Sequence, residues 1–100
     1  MRRAARIDEN QPEIVRALLD AGCSVQSLAS VGLGVPDLLV GHGNVNLLLE
    51  VKDGSKAPSE RALTKDEKRW INMWRGQVRV VHNVEEALLA CGLSTQKAAV

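Results

Sequence analysis

The sequence contains no phenylalanine and no tyrosine, and only two tryptophans. A buried core must therefore be assembled from Leu, Val, Ile and Ala. Cysteine is scarce too. Cys23 and Cys91 lie far apart along the chain, with no Cys-x-x-Cys pair and no histidine at zinc-ligand spacing. That argues against a structural zinc site or a disulfide framework, and each cysteine reads as a small buried hydrophobe. An excess of one charge is also missing: 13 Lys and Arg stand against 12 Asp and Glu, for a net charge of +1. Bulk charge thus gives nucleic-acid binding no support, although local patches can still provide it. No apolar run approaches the roughly 18 residues needed to cross a bilayer. The N-terminal arginines are not followed by an apolar stretch, so no secretory signal is read and the cytoplasm is the expected location.

What is present fits a single globular domain of 100 residues, since 45% of them are hydrophobic and 25% charged. A domain of this size is modestly stable alone, so a homodimer that buries more apolar surface is expected. Basic residues gather at Arg2, Arg3 and Arg6, and again at Lys52, Lys56, Arg61, Lys65, Lys68 and Arg69.

Residues 1–9 read as a loose polar segment. Ile14, Val15, Leu18 and Leu19 recur at helical spacing, predicting a helix over 10–21 that Gly22 stops, with Pro12 in its first turn. A short strand is read over 23–28, a glycine-containing connection over 30–36, and a second strand over 37–40. Gly41-His42-Gly43-Asn44 is a turn by composition. Residues 45–53 form the strongest strand signal, since Leu47-Leu48-Leu49 suits a strand buried on both faces. A loop over 53–62 follows. A second helix is read from Thr64 to near Gly76, with Thr64 and Glu67 at capping-box spacing. A fourth strand over 77–82 and a last helix from about Asn83 to Cys91 precede a frayed tail, 94–100. The expected fold class is therefore α/β, in the order α-β-β-β-α-β-α: a mixed sheet of about four strands flanked by helices.

The chemistry concentrates in Gly34-Val35-Pro36-Asp37 and Glu50-Val51-Lys52. Side chains alternate along a strand, so Glu50 and Lys52 share one face while Leu49 and Val51 enter apolar packing on the other. Pairing through the 41–44 turn would bring Asp37 to Glu50. Two close carboxylates repel, and a hard divalent cation, Mg²⁺ or Mn²⁺, relieves that repulsion. The carbonyl of Val51 is the expected third ligand. Such an ion can polarise a phosphate oxygen and acidify a water, while Lys52 orients that water or stabilises the transition state.

This pattern, Val35-Pro36-Asp37 followed by Glu50-Val51-Lys52, resembles the PD-(D/E)xK nuclease superfamily. Within it the chain looks like small phage-type VRR-Nuc proteins and, more distantly, archaeal Holliday-junction resolvases. The resemblance spans about Asp8 to Leu93. It implies an αβββαβ restriction-endonuclease-like core over 10–93 with an extra C-terminal helix. It also implies metal binding by Asp37 and Glu50, assistance to attack by Lys52, and DNA as partner. The family usually carries a glutamate on the first helix. Counted back from Gly22, that position falls on Gln11, which shares a face with Ile14, Val15 and Leu18, whereas Glu13 points to water. The second helix often carries a glutamine where this chain has Glu67. Gln11 and Glu67 are therefore expected to exchange amide and carboxylate across the site.

Ser55, Lys56, Ser59 and Arg61 lie in the loop just after Lys52 and are expected DNA-backbone contacts. His42 and His82 lack partners at metal spacing and read as structural or exposed. Trp70 and Trp74 lie four apart and read as core or dimer interface rather than a stacking platform. The expected function is a metal-dependent DNA endonuclease, selective for branched or junction DNA, in phage replication, recombination or packaging. The alternatives are a weak or inactive DNA-binding or assembly subunit that keeps the fold, favoured by Gln11, and a small α/β interaction module.

Overall fold

A computed structural model describes residues 7–93. Three α-helices and a four-stranded mixed sheet form one α/β unit. In chain order the elements are α1 (Gln11–Asp20), β1 (Ser24–Ser27), β2 (Leu38–His42), β3 (Val45–Val51), α2 (Lys65–Met73), β4 (Val78–Val81) and α3 (Val84–Ala90). The order matches the sequence reading, with most ends trimmed by one to three residues. β2 is the exception: Gly41 and His42, expected in a turn over 41–44, continue the strand, because the ladder to β3 holds until Gly43 and Asn44. The loop after Lys52 is not wholly irregular: Pro58–Glu60 form a single 3-10 turn. The predicted tail over 94–100, and residues 1–6 of the predicted N-terminal segment, lie outside the described residues.

The sheet runs β1-β2-β3-β4 in space. The first three strands are antiparallel neighbours, and β4 joins β3 in parallel. A tight hairpin sets the register. His42 pairs with Val45, leaving two turn residues, Gly43 and Asn44, at φ 58° and 65°. Two consecutive left-handed residues make a type I′ turn, whose twist suits a two-residue hairpin, and Gly and Asn tolerate it best. That register then sets Leu38 opposite Leu49.

β3 is buried from Leu47 through Val51, as a central strand should be. Its residues alternate between two environments. Leu47, Leu49 and Val51 join Leu38, Val40 and Val81 in one cluster with Ile14 and Leu18 of α1 and Ala87 of α3. Leu48, Glu50 and Lys52 face the opposite side, where α2 lies. None of the residues of α2 is buried, so that side stays open. Core and site are thus separated by strand alternation. Leu49 is fully buried, and trimming such a side chain to Ala costs about 2–5 kcal/mol.

Cys23 is buried as expected, whereas Cys91 is only partly so. Far apart in sequence, Cys23 and Cys91 meet at the edge of the core, where their thiols are hydrogen-bonded while both remain free. The fold closes the chain so that the end of α3 lies against the start of β1. Burial, then the neighbouring Cys23, pushes the Cys91 thiol up to about 11. Among the described residues, no helix is long and apolar enough to cross a membrane.

Candidate active site

Asp37 ends the connection before β2, one residue beyond the Leu38–Leu49 pair, and so stands beside Glu50. Its Oδ2 accepts a 2.7 Å hydrogen bond from the Val51 amide. In extended backbone the N–H and C=O of one residue leave the strand on the same edge. The Val51 carbonyl is therefore directed to the same edge as Asp37. Pro36 and Asp37 are both buried, which anchors the acid at the strand end.

Glu50 is the most enclosed charge of the group, with 2% of its surface exposed. Its Oε1 is buried and receives no donor. Burial first, then the negative charges of Asp37 and Glu67, push its carboxyl up to about 9, and Lys52 only partly offsets them. Asp37 is raised too, by burial above all, although the Val51 amide and Glu50 pull the other way. The two carboxyls thus share a place that resists a second negative charge.

Lys52 lies 3.6 Å from Glu50 and 2.7 Å from Glu67. Burial works against its ammonium, but the contact with Glu67 and the charge of Glu50 outweigh it, so its pKa is raised. Lys52 is consequently a fixed cation near neutral pH and has no free base to offer.

Glu67 performs two tasks with one oxygen. Its Oε1 accepts from Lys52 Nζ at 2.7 Å and from the Thr64 amide at 2.8 Å. Thr64 Oγ1 accepts from the Glu67 amide in return, completing a capping box. Burial opposes the charge on Glu67, yet these hydrogen bonds hold its carboxyl below the usual range.

These four residues line an open cleft of about 930 Å³. Lys56 and Ser59 line it as well, beside the Gly32–Gly34 loop. Other expected residues fall elsewhere. Ser55 is engaged by Asp53, which accepts from both its amide and its hydroxyl, and it lines a separate pocket with His82. Arg61 donates to the Gly54 carbonyl at 3.3 Å. Gln11 is buried with its Oε1 lacking a donor; it does not line the cleft and instead borders a separate groove with Ile7, Val15 and Ser27. Its helix covers the apolar face of the sheet, whereas the carboxylates occupy the other face. His82 pairs with Glu86 at 2.8 Å, and His42 lies by the hairpin, both away from the cleft.

Asp8 was missed. It lines the cleft, and its negative charge raises both Asp37 and Lys52. The end of the segment expected to be loose over 1–9 is tied down: the Asp8 carbonyl accepts from the Gln11 amide at 3.0 Å, and just beyond it Asn10 Nδ2 donates to the Lys52 and His82 carbonyls. The overlooked signal was spacing: Asp8 lies three residues before Gln11, so a turn there continues the row of α1 toward the sheet end.

Two carboxyls lack enough compensating charge, and one carries a buried oxygen with no donor; a hard divalent cation would relieve both. Among the described residues no group of three or more His, Cys, Asp or Glu side chains is placed to hold an ion. Asp37 and Glu50 are the two side chains that could hold such an ion, and water and a carbonyl would have to complete its shell. Comparison with protein-family models, curated proteins and solved structures finds no match. The functional reading therefore rests on this geometry.

Proposed function

We propose that the chain is a Mg²⁺- or Mn²⁺-dependent DNA endonuclease of the PD-(D/E)xK type, with Asp37, Glu50 and Lys52 at its centre. One observation carries the reading. Two buried carboxyls and an ammonium from neighbouring strands converge on an open cleft, and one carboxylate oxygen there lacks any donor. Asp37, Glu50 and the Val51 carbonyl would hold the ion. When bound, it supplies Lewis-acid withdrawal at a phosphate oxygen and acidifies a water.

The remaining steps belong to the chain. The Val51 amide fixes Asp37 Oδ2 and with it the carboxyl's position at the cleft. Glu67 keeps Lys52 protonated and pins its Nζ, so a positive charge is in place before the phosphate arrives. That charge orients the attacking water or offsets negative charge developing on the phosphate. Lys56 and Ser59 flank the cleft as contacts for the DNA backbone. A homodimer would present two such clefts to two strands.

A weak or inactive DNA-binding subunit is the second reading. Its support is that Gln11 does not line the cleft and that the ligating side chains number only two. Cleavage of plasmid and of synthetic four-way junctions, with Mg²⁺, Mn²⁺ or EDTA, separates the two. The enzyme cuts with metal and loses cutting in Asp37→Ala and Lys52→Ala. Binding without cutting under every metal condition favours the second reading, and gel filtration tests the dimer.

A further inference from the structure

Beside the cleft lies a small apolar shelf that the proposed chemistry does not use. Leu33 is 78% exposed and Met73 70%, while Trp74 is half-exposed. Trp70 and Trp74 stack with ring centroids 4.5 Å apart and planes at 18°. With Asp66 and Arg69 they line a groove of about 340 Å³. The pair is therefore not core. Leu33 adds a second oddity. Gly32, Leu33 and Gly34 all have positive φ, at 69°, 60° and 84°. The two glycines adopt this freely, whereas an L-leucine does not. A strained apolar side chain held out in water gains nothing from burial, and such strain tends to persist where function requires it.

We propose that this shelf receives an unpaired base of a DNA strand whose backbone continues into the acid–lysine cleft. Leu33 lines both the groove and the cleft, so the two are continuous. Stacked indoles offer a π-face to any base, and an apolar tip such as Leu33 can wedge against an unstacked step. Charge selects this occupant over a second copy of the chain. Lys65, Lys68, Arg69 and Arg75 are exposed along α2 and just after it. The acids there are Asp66 and Glu67, and Glu67 is already paired with Lys52. Two copies meeting through this face would oppose like charges, whereas a DNA strand neutralises them. The consequence is a preference for flaps, junction branches or single strands over intact duplex. This rests on DNA being the substrate of the proposed site.

The chain's only two tryptophans are both in the shelf, so its fluorescence reports on it directly. The full chain in EDTA is titrated with oligothymidine and with a blunt duplex of equal length. Quenching by oligothymidine, weakened on the order of ten-fold in Trp74→Ala and in Leu33→Ser while duplex affinity holds, is the expected result. Leu33→Ser covers the case in which Trp74→Ala fails to fold. Unchanged oligothymidine affinity in both variants overturns the shelf. So does dimerisation that Trp74→Ala abolishes while single-strand binding persists, which would assign the face to a second copy. Shelf-dependent binding with no cleavage under any metal leaves the shelf standing and removes the nuclease. Metal-dependent cleavage with no single-strand preference in binding does the reverse.

Discussion

Lys52 Nζ and Glu67 Oε1 meet at 2.7 Å across the gap between β3 and α2. Little else ties that helix to the sheet, since no residue of α2 is buried. The same contact keeps Lys52 charged. One ion pair thus couples the placement of α2 to the electrostatics of the site. With 12% and 19% of the two side chains exposed, solvent screens it less than an ordinary surface pair.

Glu67→Gln retains an acceptor for the Thr64 amide but removes the charge facing Lys52. Stability falls by about 1–3 kcal/mol in thermal or denaturant melts. Lys52 then loses its proton at lower pH, so the basic limb of the cleavage profile moves to lower pH. Metal affinity, read by titration calorimetry, falls as well where Glu67 supplies the carboxylate function that Gln11 lacks. Unchanged affinity rejects the exchange between those two positions.

Glu50 makes the metal-free protein sensitive to pH. Its pKa in the fold is about 9, against an ordinary 4.5. A raised pKa means that the folded state holds a proton the unfolded chain has released. The stability tied to that proton is fully present below pH 4.5 and is lost as pH rises through about 9. Metal-free melting temperature should therefore decline across that window, and Glu50→Gln should flatten the decline. Mg²⁺ or Mn²⁺ should raise melting temperature more at pH 8 than at pH 6, because binding must displace the proton. An identical pH slope in Glu50→Gln would remove Glu50 as its source.

Much of this site was legible from two local rules. The period of two places Glu50 and Lys52 together and Leu49 and Val51 opposite, and a turn near 41–44 joins their strand to Asp37. The register that sets Asp37 beside Glu50 was not legible, since it depends on Gly41 and His42 pairing in the strand and leaving only Gly43-Asn44 to turn. The Thr64–Glu67 spacing announced a cap, and the helix face announced an inward side chain; Glu67 does both at once. What escaped depended on chain closure. Nothing near Cys23 reveals that Cys91 arrives beside it. Asp8 reaches the cleft beside Asn10, whose side chain bonds to the carbonyls just past β3 and β4. Trp70 and Trp74 have core-like spacing, and only the openness of the face around α2 leaves them at the surface.

Gly34 is where the loop before β2 touches α2. A Cβ there would lie 2.5 Å from the Asp66 carbonyl oxygen, and φ is +84°. Gly34→Ala meets both backbone strain and a backbone clash, neither of which a side-chain rotation relieves. A loss of about 2–4 kcal/mol is expected in denaturant melts. Cleavage should suffer with it, since the first turn of α2 carries Glu67. Gly43→Ala, with no atom within 4 Å of its added methyl, is the control for left-handed strain alone.

Cys91 should be a poor nucleophile in the folded protein. Its thiol is raised to about 11, chiefly by burial, and the thiolate is the reacting species. Alkylation by iodoacetamide at pH 8, followed by mass spectrometry, should label neither cysteine rapidly until denaturant is added. Fast modification of Cys91 in native conditions would contradict its enclosure at the end of α3.

Asp8 carries the most direct test of how the cleft handles charge. It raises both Asp37 and Lys52 through its field and makes no hydrogen bond to either. Asp8→Asn should therefore act electrostatically and leave the fold intact. Removing its charge lets Asp37 ionise more readily, which favours a cation, but it also weakens the negative potential that attracts one. The second effect acts on a divalent ion with twice the force it exerts on a proton, so it prevails. Mn²⁺ affinity should fall about two- to ten-fold at low salt, and the difference should shrink at higher ionic strength as screening grows. A fall that ignores salt would instead make Asp8 a direct ligand, and tighter binding would show that its main action is to hold the proton on Asp37.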